Sequence, residues 1–171
     1  EVLTNGNLSG VIDDDAVGVS LTAAYEEKNA GTGKTVTGSY TLTGTDAGNY
    51  ELTSSDFSGN PDIATASLSL ATAGTVKDSR VYDGTTDIEV LTNGDLSGVI
   101  GLDTVGLSLT APYDDKNAGV GKTVTGSYAL TGADAVNYEL ASAGFSGSAD
   151  ITKAALSLAT AGTVKDSRVY D

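Results

Sequence analysis

Two stretches carry a Gly-Lys-Thr triplet in a glycine-rich setting: "AYEEKNAGTGKTVTGSY" at residues 24–40 and "PYDDKNAGVGKTVTGSY" at residues 112–128. Such a triplet can cradle a phosphate when another glycine stands five places before its own glycine and a helix follows, because the loop and helix N-terminus then point N–H groups at the anion. Those places hold Lys28 (before Gly33) and Lys116 (before Gly121), and the following "VTGSY" reads as strand. Nucleotide binding is therefore not expected. The alternative is a hairpin connection: Tyr25 and Tyr113 end one strand, and Lys34 and Lys122 start the next. The glycines between them take positive φ. Lys28 and Lys34 are then solvated, or one pairs with a neighbouring carboxylate.

Other residues with chemical promise are acidic. Asp13, Asp14 and Asp15 could offer hard oxygens to calcium. Their counterparts are Gly101, Leu102 and Asp103, so only one carboxylate recurs. Asp46 with Asn49, and Asp134 with Asn137, suit local capping. Glu89, Glu139, Asp114 and Asp115 supply carboxylates without a marked cleft. Glu26 and Glu27 are exchanged for Asp114 and Asp115 between the stretches, which keeps charge and changes reach, as a surface tolerates. Asn7-Leu8-Ser9 is a glycosylation sequon whose twin begins with Asp95. An isopeptide bond from a lysine needs buried partners that a sequence cannot display.

Composition narrows the chemistry further. The 171 residues contain no His, Cys, Met, Trp or Gln. That removes imidazole base catalysis, thiol nucleophiles, disulfides and thiolate metal sites. Lys and Arg number 9 against 23 Asp and Glu, a formal charge of −14. This charge repels nucleic acid and anionic membranes, so no nucleic acid and no direct membrane contact are expected. No apolar run approaches the ~20 residues of a membrane-spanning helix. No signal peptide is visible, and "EVLTNG" reads as the start of a piece cut from something longer.

The elements that must position these residues recur. Residues 1–83 align with 89–171 at an offset of 88 without a gap, and 63 of the 83 aligned positions are identical. The last sixteen, "LSLATAGTVKDSRVYD", are the same at 68–83 and 156–171. A period of 88 suits a small module better than a thin solenoid turn. One frame makes 1–65 a first module lacking its opening strand, 66–154 a complete second module, and 155–171 the opening strands of a third. The other frame cuts at 1–83 and 84–171. In the first frame an orphan strand must pair with another module or remain loose.

Within the module the hydrophobic period is two. Val105, Leu107, Leu109, Ala111 and Tyr113 share one face, as do Val17, Val19, Leu21, Ala23 and Tyr25. "KTVTGSYAL", "NYEL", "ASLSL" and "RVYD" read as further strands, with turns at "TNGD" (92–95) and "NAGVG" (117–121). "TGADAVNY" offers at most one helical turn, with Asp134 as its cap. The expected fold is all-β: small β-sandwich-like or β-grasp-like modules in tandem, forming an elongated chain.

"VYDGTT" (81–86), "KNAGTGKTV" (28–36), "LTGTDAGNYEL" (42–52) and "ITKA" (151–154) resemble the YDG repeat domain, with Tyr82-Asp83-Gly84 as the eponymous triplet. The second copy adds "KNAGVGKTV" and "LTGADAVNYEL", and Thr65 stands where Lys153 would match. Domains of this kind occur in filamentous-haemagglutinin-like exoproteins and large adhesins. The resemblance implies an extracellular place on a bacterial cell surface, in an adhesin stalk or repeat region, and it brings no catalytic set. The expected function is a structural spacer that projects a distal binding domain. The alternative is an adhesive module contacting host or matrix glycans or proteins through exposed turns and tyrosines. No enzyme activity, catalytic residue or cofactor is expected, structural calcium being the one alternative. The expected partners are neighbouring repeat modules of the same chain.

Overall fold

The structure, a computed structural model, describes residues 1–164 and 166–168. It is all-β. Among the described residues, ten strands lie in three sheets, and the only helical elements are 3-10 turns at Ala47–Asn49 and Ala135–Asn137. No helix among the described residues is long and apolar enough to cross a membrane. The chain divides into two compact units, one of Glu1–Ser69, Ser97–Gly106 and Leu130–Ala141, the other of Leu70–Leu96, Leu107–Ala129 and Ser142–Asp171.

The first unit holds the antiparallel sheet β1-β2-β3, with β1 at Gly18–Tyr25, β2 at Val36–Thr43 and β3 at Asp56–Gly59. The register runs from Gly18↔Thr43 to Tyr25↔Val36, so the lysine turn closes a true hairpin. Gly38 is required there: a Cβ would come within 2.3 Å of the Thr22 carbonyl oxygen. The same unit contains the start of β4 (Ala66–Val76) and all of β9 (Tyr138–Leu140), paired in parallel with Leu68 opposite Leu140. Leu68 is 1% exposed. Burying a leucine side chain to that degree stabilises by about 1.5–3 kcal/mol.

The second unit is built on β5 (Ser79–Val81), β10 (Gly144–Thr152), β8 (Gly119–Thr131) and β7 (Gly106–Thr110), in that order across the sheet. β10 lies antiparallel to β8 with a register shift between Ala149 and Ile151, and parallel to β5. The alternation expected of residues 105–113 is present from 109 onward: Leu109, Ala111 and Tyr113 are buried, and Thr110 and Pro112 are exposed, while residues 105–108 are all half-buried. β7 nevertheless stops at Thr110, whereas β1 continues to Tyr25. Pro112 replaces Ala24 there and has no N–H for a ladder bond.

The "TNGD" stretch is a correction. Residues 92–95 lie inside β6 (Val90–Ser97), which borders β4 in the order β6-β4-β9. Gly94 has φ +84°, and a Cβ there would meet the Thr72 carbonyl oxygen at 2.4 Å. Its glycine serves close backbone approach between strands, not chain reversal.

Near-identical sequence behaves differently in the two copies. Residues 2–9 and 50–52 correspond to β6 and β9, yet form no strand. Residues 156–164 repeat the sequence of Leu68–Val76 in β4 and also form no strand. Lys165 and residues 169–171, where part of the expected third opening would fall, lie outside the described residues.

Candidate functional site

Both lysine turns are closed by their own carboxylates. In the first, Lys34 Nζ donates to Glu27 Oε1 at 2.7 Å, and the Gly33 N–H donates to Asp62 Oδ1 at 2.8 Å. In the second, Lys122 pairs with Asp115, and the Gly121 N–H donates to Asp150 Oδ1 at 2.8 Å. Gly33 and Gly121 have φ of +61° and +60°, the positive values expected from sequence. The hydrogen bond from Lys122 holds the Asp115 carboxyl below the usual carboxylate range, with help from the Asn117 N–H. An N–H group that a phosphate loop would aim at its anion is here turned onto an aspartate. The exchange of Glu27 for Asp115 preserves the ion pair in both copies.

Lys28 behaves differently. It is not simply solvated: Nζ lies 3.0 Å from Asp103 Oδ1 and 3.5 Å from Asp134 Oδ1, all within the first unit. The adjacent Ala30 N–H donates to Asn137 Oδ1 at 2.9 Å, and Asn137 Nδ2 donates to Asn29 Oδ1 at 3.3 Å. A Lys-Asn-Ala turn of the first copy thus docks on Asp103, Asp134 and Asn137 of the second. The hydrogen bond to Asp103 raises the Lys28 pKa, and the same bond lowers that of Asp103. No carboxylate lies within ion-pair distance of Lys116, its counterpart, among the described residues.

The capping role expected of Asp46 and Asp134 is corrected. Neither side chain bonds into its own 3-10 turn. Asp46 Oδ2 instead accepts the Ala16 N–H at 2.9 Å, and Asp134 Oδ2 accepts the Thr104 N–H at 2.8 Å. A three-residue turn closes with backbone bonds such as Asn137 N–H to the Asp134 carbonyl at 3.0 Å, which leaves the carboxylate free to reach across. A second link repeats beside it. The Ile100 N–H donates to the Tyr138 hydroxyl, which donates to Asp103 at 2.9 Å; Ile12, Tyr50 and Asp15 do the same, the last bond being 2.6 Å. Sequence reasoning missed these links, although the shared 88-residue offset of Asp15 with Asp103 and Tyr50 with Tyr138 signalled them.

The acidic run has a backbone reason. Asp13 has φ +45°, and its counterpart Gly101 has φ +58°. The turn demands left-handed geometry, which Gly supplies freely and Asp tolerates. Among the described residues, no group of three or more His, Cys, Asp or Glu side chains is arranged to hold a metal ion. Of the carboxylates considered for glycoside chemistry, Glu89 holds Lys77 at 2.8 Å, Asp114 accepts the Thr125 hydroxyl at 2.6 Å and Asp115 pairs with Lys122.

The Tyr82-Asp83-Gly84 triplet forms a turn of its own. Asp83 Oδ1 accepts the Thr85 N–H and hydroxyl, each at 2.9 Å, and pairs with Arg80. These bonds, led by the Thr85 N–H, hold the Asp83 carboxyl below its ordinary range. Gly84 follows with φ +87°. Arg80 in turn lies over the Tyr113 ring, 5.2 Å from its centre, a cation–π contact.

The chain is all-β, and the Lys28 turn of its first sequence repeat pairs with carboxylates of the second. The YDG domain family model matches residues 2–57 and 64–144, most of the chain, and the chain belongs to that family. No curated protein and no solved structure matches it.

Proposed function

We propose that the chain is a spacer: a stalk repeat of an extracellular adhesin on a bacterial cell surface, holding a distal binding domain away from the cell. The observation that carries this reading is the Lys28 turn. Its charged and amide groups are engaged by Asp103, Asp134 and Asn137 of the following repeat, so the residues with most chemical promise join copies. Its partners are neighbouring repeat modules of the same chain, in the frame 66–154. That frame is supported by the parallel pairings of β4 with β9 and β5 with β10, which tie residues 66–81 to 138–152. The second segment of the family match starts at residue 64, two residues before that frame begins. A charge of −14 favours mutual repulsion between parallel stalks.

Small-angle scattering of the chain tests the reading, the expected particle being elongated. A compact globule contradicts it. Screening the same chain against glycans and matrix proteins separates the spacer from an adhesive module: flat responses accord with the spacer, and saturable binding to one surface would replace it.

A further inference from the structure

Two consecutive amides of the first copy bond to different repeats. The Gly31 N–H donates to the Ile63 carbonyl at 2.8 Å, inside its own copy. The Ala30 N–H, one residue earlier, donates to Asn137 Oδ1 at 2.9 Å, in the following copy. Asn137 also donates through Nδ2 to Asn29 Oδ1 at 3.3 Å. One carboxamide therefore holds a backbone donor and a side-chain acceptor of the same turn. Beside it, Lys28 pairs with Asp103 and Asp134 at 3.0 and 3.5 Å. All of these residues belong to the first compact unit.

The two kinds of bond answer differently to solvent. The bond from Ala30 to Asn137 is part-buried and joins uncharged groups, so it depends on geometry and salt does not screen it. The Lys28 side chain is 70% exposed, and an ion pair that open to water is weak and screened by salt. We infer that this contact is a latch that opens without unfolding either copy, Asn137 setting its register and Lys28 making its closure depend on ionic strength. When the latch opens, Ala30 loses its acceptor and Gly31 keeps its own. Asn137 stays on its 3-10 turn, which closes through the Asn137 N–H to the Asp134 carbonyl at 3.0 Å and needs no side chain of the first copy. The inference rests on the spacer reading for its use: it gives the joint between repeats a tightness graded by the surrounding salt.

Residue-resolved amide exchange of the full chain tests it. The readout is the ratio of the Ala30 rate to the Gly31 rate, in which fraying of the whole turn cancels. Asn137→Ala is expected to raise the ratio about five- to tenfold at every salt concentration. Lys28→Ala is expected to raise it about two- to fivefold at about 0.01 M salt and hardly at all at about 1 M, where variant and wild type converge. A ratio unchanged in Asn137→Ala, a Lys28→Ala effect as large at high salt as at low, or Gly31 rates rising in step with Ala30 rates in the variants would each overturn the inference. Lys28→Ala alters an exposed side chain, so it decides the salt dependence even if Asn137→Ala fails to fold. The spacer reading is tested by particle shape and by binding: a compact particle leaves this ratio untouched, and an unchanged ratio leaves the spacer standing.

Discussion

Individual residues in this chain answer to backbone geometry before chemistry. Asp13 is the clearest case, because it occupies a left-handed position that Gly101 fills in the other copy. Asp13→Gly is expected to stabilise the chain by about 0.5–1 kcal/mol, read as a higher urea midpoint, since a side chain at positive φ is costly. A lower midpoint would mean that the carboxylate has a role the turn does not explain. Titration makes a second residue-scale prediction. The carboxyls of Asp83, Asp103 and Asp115 all have lowered pKa values. A group depressed on folding contributes stability that is present above its unfolded pKa and lost as pH falls through the folded one. The loss therefore begins below about pH 4. Relief of the −14 charge acts in the opposite direction as pH falls, so the comparison of wild type with Asp103→Asn isolates the contribution. The variant is expected to lose less stability between about pH 4 and 2. Equal acid losses would contradict it.

At the scale of elements, the sequence displayed the strands better than their pairing. Period-two alternation placed Leu109, Ala111 and Tyr113 on one buried face, and Gly33 and Gly121 have the expected sign of φ, although β8 starts at Gly119 and so takes in Gly121, ahead of the expected start at Lys122. The parallel pairings of β4 with β9 and β5 with β10 were invisible, because they join segments some 70 residues apart and depend on tertiary packing. Asn93-Gly94 looked like a turn for the same reason: glycine marks both chain reversal and close strand approach, and only the neighbouring β4 distinguishes them. The docking of Lys28 was half legible: a neighbouring carboxylate was the alternative to solvation for one of Lys28 and Lys34, whereas both are paired and the partners of Lys28 lie in the following copy. A paired substitution tests what β4 contributes. Tyr128→Phe removes the acceptor of the buried Gly74 N–H and is expected to cost about 1–3 kcal/mol. Tyr40→Phe, at the counterpart whose hydroxyl accepts no backbone N–H among the described residues, is expected to cost about 0.5 kcal/mol or less. Equal costs would show that the two tyrosines have the same surroundings.

For the whole molecule, the repeat explains more than any single motif. Copies with 63 of 83 positions in common contain strands in one place and none in the corresponding place. The difference follows the neighbour: residues 90–97 and 138–140 flank β4, and among the described residues no strand equivalent to β4 runs beside residues 2–9 and 50–52. Lone strands expose backbone groups and bury little, so a segment becomes a strand where a partner saturates its edge. Strand formation in this repeat therefore depends on the neighbouring segment as well as on the local sequence. Amide hydrogen exchange on the chain tests it most directly, because it compares nearly the same peptide in two settings. Amides of residues 90–97 are expected to exchange at least about 100-fold more slowly than those of residues 2–9. Equal rates in the two segments would contradict the account.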